Sequence, residues 1–266
     1  MKRKECLVTL GLCAVMGLVL LLACSKKPEE QAAAPSTAAT PAPAATPIDP
    51  ATAASVSGTV SFDGTAPKAA KIDMSQDPAC KGTNETETVE VDNGSLANVF
   101  IYVKDGLGNY SFDVPKEAAK LDQQGCRYHP HVLGVMAGQT VEIINSDNTT
   151  HNIHPSPKDN REWNESQPPK AAPLDKDFAR QEVLIPVKCN QHPWMKMYIG
   201  VVKNPFFAVT GKDGKFELKG LPPGTYTIAA VQEKYGEQDQ TVTVGPKDTK
   251  TVDFTFKPGA GGTGGQ

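Results

Sequence analysis

Short β-branched and aromatic runs, each closed by Gly, Pro, Asn or Asp, limit how this chain can fold. Val56-Ser-Gly-Thr-Val-Ser-Phe62, Ala97-Asn-Val-Phe-Ile-Tyr-Val103, Thr140-Val-Glu-Ile-Ile144 and Tyr198-Ile-Gly-Val-Val202 have the length and composition of strands. So do the stretches 206–210, 215–219, 225–231, 241–244 and 251–256. Turns such as Gly211-Lys-Asp-Gly214 and Gly220-Leu-Pro-Pro-Gly224 separate this last group into a meander. Helical periodicity is sparse, and residues 116–121 have room for one or two turns at most. Many short strands with turn signals between them fold as Greek-key sandwiches, so the expected class is all-β.

The two ends of the chain stand outside that pattern. Met1-Lys-Arg-Lys4 is basic, and residues 7–23 are apolar and uncharged. Seventeen such residues are marginal for crossing a bilayer, which takes about 20. Leu21-Leu-Ala-Cys24 reads as a lipobox, so residues 1–23 are expected to be a cleaved lipoprotein signal and Cys24 the lipidated residue. Acyl chains on Cys24 imply stable membrane anchoring. Ser25 follows with no Asp beside it, and by resemblance to bacterial lipoprotein sorting this points to the envelope and its outer membrane. Residues 24–54 are dominated by Ala, Pro and Thr and bury too little to fold, which makes them a tether. The Gly-rich residues 259–266 read as a disordered tail.

Composition excludes several classes. Lys and Arg number 27 against 30 Asp and Glu, and without Lys2, Arg3, Lys4 and Glu5 of the leader the balance is 24 against 29, near −5 with no basic cluster, which argues against a nucleic-acid partner. No Gly-rich phosphate loop and no Gly-x-Ser-x-Gly elbow is present. The acidic residues are scattered and form no acid–base pair.

The chemistry concentrates in Cys189-Asn-Gln-His192-Pro-Trp-Met195, which places a thiolate, an imidazole and a thioether within seven residues. A second imidazole is available 38 residues earlier, from His151 in Asp-Asn-Thr-Thr-His151-Asn152-Ile-His154. Two imidazoles, one thiolate and a weak axial thioether are the donors of a blue-copper centre. All five histidines fall between His129 and His192. Met197 competes with Met195 for the axial place through a longer spacing. His154, three residues past His151, faces the other side of a strand and is not expected to bind. A rival reading pairs Cys126-x-x-His129 with Cys189-x-x-His192 as a tetrahedral zinc site.

These residues carry a family resemblance. C-x-x-H-P-x-M resembles the copper loop of the amicyanin branch of the cupredoxins, and His151-Asn-Ile-His154 resembles that branch's upstream histidine motif. The resemblance implies one type 1 copper held by His151, Cys189 and His192 with Met195 at long axial distance. It implies electron transfer to an unidentified redox partner rather than catalysis. Asn152 is then expected to brace the ligand loop and contact the Cys189 sulfur. His192 is expected to be the electron port, its ring edge emerging among Pro130, Pro193 and Trp194. Gln191 stands where such loops often carry Pro, so its backbone N–H is expected to add a donor to the thiolate. Multicopper enzymes flank the Cys with histidines, whereas Lys188 and Asn190 hold those places here.

The chain is also similar to methylamine-utilisation-type cupredoxin proteins, which carry a second β-sandwich. Asp213-Gly-Lys-Phe-Glu-Leu-Lys-Gly-Leu-Pro-Pro-Gly-Thr-Tyr226 resembles the carboxypeptidase-regulatory-like, transthyretin-like modules. The expected division is a cupredoxin-like domain over 55–204 and a regulatory-like sandwich over 205–258. Gly58-Thr-Val-Ser-Phe-Asp-Gly64 looks like the usual opening of such a module, so residues 55–64 are the candidate first strand of the second sandwich.

Cysteine arithmetic bears on the metal. Cys80, Cys126 and Cys189 remain beyond the leader and anchor, enough for one bridge in an oxidising compartment. A Cys80–Cys126 bridge leaves Cys189 free and adds a few kcal/mol by loop closure. The other two pairings stay open, and either removes the thiolate that copper needs. Two further classes stay in view: a copper-binding or sensing lipoprotein that does not shuttle electrons, and a metal-free envelope scaffold.

Overall fold

The computed structural model describes residues 47–259. The signal 1–23, Cys24, most of the tether 24–54 and all but Gly259 of the tail lie outside the described residues. Within them the chain is all-β, with strands and no helices. Two sandwiches account for four of the five sheets among the described residues, and the fifth pairs only Lys71–Ile72 with Asn84–Glu85.

One sandwich is built from both ends of the described chain. The strand Ala54–Phe62 pairs antiparallel with Lys215–Leu221 and parallel with Thr249–Thr251 and Phe254–Phe256. It therefore shares its sheet with the C-terminal strands. The facing sheet runs Phe207–Val209, Phe100–Asp105, Gly224–Gln232 and Gly236–Val244. Val56, Val60, Ile101, Val103, Leu218, Ile228, Phe254 and Phe256 fill the space between these sheets.

The placement of Phe100–Asp105 differs from the sequence division, which put it in the copper domain. Its apolar run is buried on both faces: Ile101 and Val103 enter the C-terminal core, while Phe100 and Tyr102 face the other way. Period-two patterning cannot assign such a strand to a sheet, because neither face carries a polar label. The other sandwich, which holds the candidate metal ligands, is thus inserted between Phe100–Asp105 and Phe207–Val209, two strands that pair with each other.

The inserted sandwich has one sheet of Leu174–Lys176, Val141–Asn145, Ala119–Gln123 and Tyr128–His129. Its other sheet orders Glu165–Gln167, His151–Pro155, Glu182–Lys188, Lys196–Val202 and Val132–Met136. Residues 116–121, read as at most a helical turn or two, instead enter the strand Ala119–Gln123, parallel to Val141–Asn145. Leu121 and Gln123 alternate into the core there, and the ladder outweighs local helix preference.

The two sandwiches pack through Phe100, Tyr102, Val132, Val202, Ala229 and Val231. Gly134 and Gly200 are cross-strand neighbours at this contact. A Cβ on Gly200 would lie 2.7 Å from the Phe100 ring, and one on Gly134 2.7 Å from the Phe207 ring. The paired glycines let the aromatic rings reach the backbone of the inserted sheet, which brings the two sandwiches into close contact.

Candidate metal centre

Antiparallel pairing of Glu182–Lys188 with Lys196–Val202 sets Lys188 opposite Lys196 and turns residues 189–195 into a hairpin loop. The loop is closed from within: Cys189 N–H donates to Met195 O at 3.2 Å, and Met195 N–H to His192 O at 2.9 Å. His151 opens the neighbouring strand His151–Pro155, whose far end pairs with Lys188. The sheet thereby brings the two donor segments to one end of the inserted sandwich.

His151, Cys189, His192 and Met195 are all buried, at 0, 2, 3 and 1 % exposure. The two Nδ1 atoms stand 2.9 Å apart, and Cys189 Sγ lies 3.7 Å from His192 Nδ1. Donor atoms of His151, Cys189 and His192 all fall within 4.8 Å of one another. Such separations suit ligands of one ion with bonds of about 2.0 Å to nitrogen and about 2.3 Å to sulfur. Cys189 is a free thiol, and Met195 and Met197 are both in the same core. The donor set therefore fits a copper ion, with two imidazoles and a thiolate converging.

Each imidazole is held from behind. His151 Nε2 donates to Asp147 Oδ2 at 2.8 Å and His192 Nε2 to Asp77 Oδ2 at 3.0 Å. A carboxylate on the outer nitrogen fixes ring orientation and tautomer so that the inner lone pair faces the site. Burial lowers the pKa of His151 below the ordinary histidine value, against the opposing pull of Asp147. Asp77 is brought down to about 2, first by the Thr149 hydroxyl and then by the Ala79 N–H. Asp147 also accepts from the backbone of Gly125 and Cys126, both at 2.7 Å, and so ties the His151 loop to the disulfide segment.

Asn152 braces the ligand loop. Its N–H reaches Cys189 Sγ at 3.4 Å, and its side-chain oxygen accepts from Asn190 N–H at 2.5 Å. Its amide nitrogen donates to Asn164. Tyr128 O–H donates to Asn152 O at 2.5 Å, and burial, with Cys189 adjacent, raises the phenol pKa. Gln191 is exposed, and the backbone donor at the thiolate is Asn152, not Gln191 as its position had suggested.

Two more expectations are corrected. His192 was to be an exposed electron port, but its ring edge is covered. Asp77 occupies Nε2, Cys80 Sγ lies 3.9 Å from the same atom, and the Trp194 ring lies tilted against it with centroids 5.0 Å apart while donating to Cys126 O. The zinc rival loses two of its four donors. Cys126 is disulfide-bonded to Cys80 across 46 residues, and His129 is exposed with its ring on Gln124 O. His154 binds Asn190 and Glu162 outside the cluster, and His131 sits between Glu233 and Glu87.

Sequence reasoning missed Asp77, Asp147, Thr149 and Tyr128. Asp147 had a local signal, lying four residues before His151 in a turn-rich stretch. Asp77 had none, since it meets His192 from 115 residues away.

Residues 201–257 match the family model of the carboxypeptidase regulatory-like domain. No curated protein matches the sequence. Among solved structures, the Cu-containing nitrite reductase from Thermus scotoductus SA-01 is 19 % identical, with TM-score 0.31, over 37 % of this chain and 25 % of that chain. A mutant of amicyanin in its Cu(I) form is 24 % identical, with TM-score 0.29, over 34 % of this chain and 86 % of its own. The purple cupredoxin from Nitrosopumilus maritimus is 20 % identical, with TM-score 0.27, over 31 % and 98 % respectively. The C-terminal part of this all-β chain thus contains a carboxypeptidase regulatory-like domain.

Proposed function

We propose that this protein is a type 1 copper protein of the bacterial cell envelope, tethered to the outer membrane by a lipid on Cys24, that exchanges electrons with a redox partner. The observation that carries this reading is the convergence of two imidazole Nδ1 atoms on a free, buried thiol. His151, Cys189 and His192 would hold the ion, with the buried Met195 thioether as a weaker fourth donor, a donor set that suits copper. When bound, copper supplies one-electron exchange between its Cu(I) and Cu(II) states. The protein contributes a preformed cage. Asp147 orients the His151 ring, Asn152 fixes the Cys189 sulfur and the loop, and Tyr128 secures Asn152. The regulatory-like sandwich packs on the copper domain through Phe100, Tyr102, Val132, Val202, Ala229 and Val231.

Titration with Cu(II) tests this. An intense thiolate-to-copper band with narrow hyperfine splitting is expected, and Cys189→Ser should abolish it while the β-type circular dichroism persists. Absence of the band in the unmodified protein, or a blocked Cys189, removes the reading.

The covered ring edge of His192 favours a second reading in which the site holds copper without rapid shuttling. Self-exchange rates separate the two: fast exchange supports a carrier, slow exchange a copper-holding lipoprotein.

A further inference from the structure

Residues 73–80 form no strand of either sandwich, but Met74 and Cys80 are buried in the core of the inserted one, and the segment reaches the metal centre. Asp77 forms a local turn, accepting the Ala79 N–H on its own carboxylate at 2.8 Å while its backbone oxygen takes the Cys80 N–H at 3.0 Å. Its Oδ2 faces outward from that turn and accepts from Thr149 Oγ1 at 2.6 Å and His192 Nε2 at 3.0 Å. Thr149 lies two residues before His151, so one carboxylate oxygen links the loops of both histidines. The disulfide to Cys126 holds this stretch in place, and Trp194 closes over it.

We infer that Asp77 is a positioning residue of the metal centre, which sets the His192 ring and closes its outer edge. The inference rests on the copper reading. Three consequences come from the geometry. An N–H on Nε2 must point at Asp77, which leaves the Nδ1 lone pair aimed at Cys189 and His151. The negative charge behind the ring stabilises the more oxidised metal ion. The ring nitrogen that would otherwise meet solvent is occupied, and His192 is only 3 % exposed. Asp147 does the same for His151, but from within the inserted sandwich. Asp77 comes from a separate segment held by a covalent bridge.

The test compares the full-length protein with Asp77→Asn, Asp77→Ala and Asp77→Glu, using Cu(II) in competition with a chelator, the visible spectrum and the midpoint potential. Asparagine keeps an acceptor oxygen but removes the charge. Expected for Asp77→Asn are a retained thiolate band, Cu(II) affinity weakened roughly 10–100-fold and a raised potential, with Asp77→Glu recovering part of both. Expected for Asp77→Ala, in addition, is faster carbethoxylation of His192 in the metal-free protein. A purely structural cover predicts no change of potential in Asp77→Asn. A normal thiolate band with unchanged affinity and potential in Asp77→Asn overturns the inference alone. No thiolate band in the unmodified protein overturns the copper reading and this inference with it.

Discussion

Removing the disulfide by Cys80→Ser with Cys126→Ser should cost more stability than any conservative surface change. The bridge spans 46 residues of sequence. Restoring that loop's freedom to the unfolded chain gives an entropy near −2.1 − 1.5R ln n, or about 4 kcal/mol at 25 °C. Thr149 to Asp77, and Asn84 to Gly125 O at 3.0 Å, still hold the segment in the folded state, so the loss falls on the unfolded side of the balance. For a unit of this size each kcal/mol moves the midpoint by about 2–4 °C, so a fall of about 8–16 °C is expected. Denaturant and thermal unfolding of the double variant are the assay. The dithiol-reduced unmodified protein serves as a control that should match it. A loss below about 1 kcal/mol would refute the reasoning, since it would mean the segment is already confined in the unfolded chain. Cys189 is untouched by these changes, so the thiolate-to-copper band should survive them.

Gly200→Ala places a Cβ 2.7 Å from the Phe100 ring, which is fully buried between the sandwiches. Overpacking there should cost about 1–3 kcal/mol in denaturant unfolding, and an unchanged midpoint would contradict the close approach of the sheets. Glu182 offers an acid-stability test. Burial raises its pKa, but N–H groups of Lys158, Asp159 and Asn160 and the Asn160 amide outweigh it and bring the carboxyl below its ordinary 4.5. With the folded value lowered, its stabilisation is complete above 4.5 and is lost as pH falls through the folded pKa. Glu182→Gln should therefore lower stability at neutral pH and flatten the decline below pH 4.5. An unaltered pH profile would count against the carboxylate's role.

Much of this molecule is written locally. The loop Cys189-Asn-Gln-His192-Pro-Trp-Met195 carries its donors at fixed short spacing, and the strands on either side need only pair for the loop to close. His151-Asn152 likewise announces itself, because a strand start delivers the ring and the next N–H together to the thiolate. The meander after Phe207 is spelled out by its turns. Period-two patterning and turn residues act over a few positions, so they define strands, loops and the identity of the donors. They do not say which sheet a strand joins when both its faces are apolar, as for Phe100–Asp105, nor that residues 116–121 would find a parallel partner in Val141–Asn145. They are equally silent on what covers a ring. His192 loses its exposed edge to Asp77, 115 residues away, because a disulfide and a hydroxyl hold that segment over it. Donor types and local geometry are properties of short peptides. The orientation, burial and charge around the donors come from contacts that exist only once the chain has closed on itself.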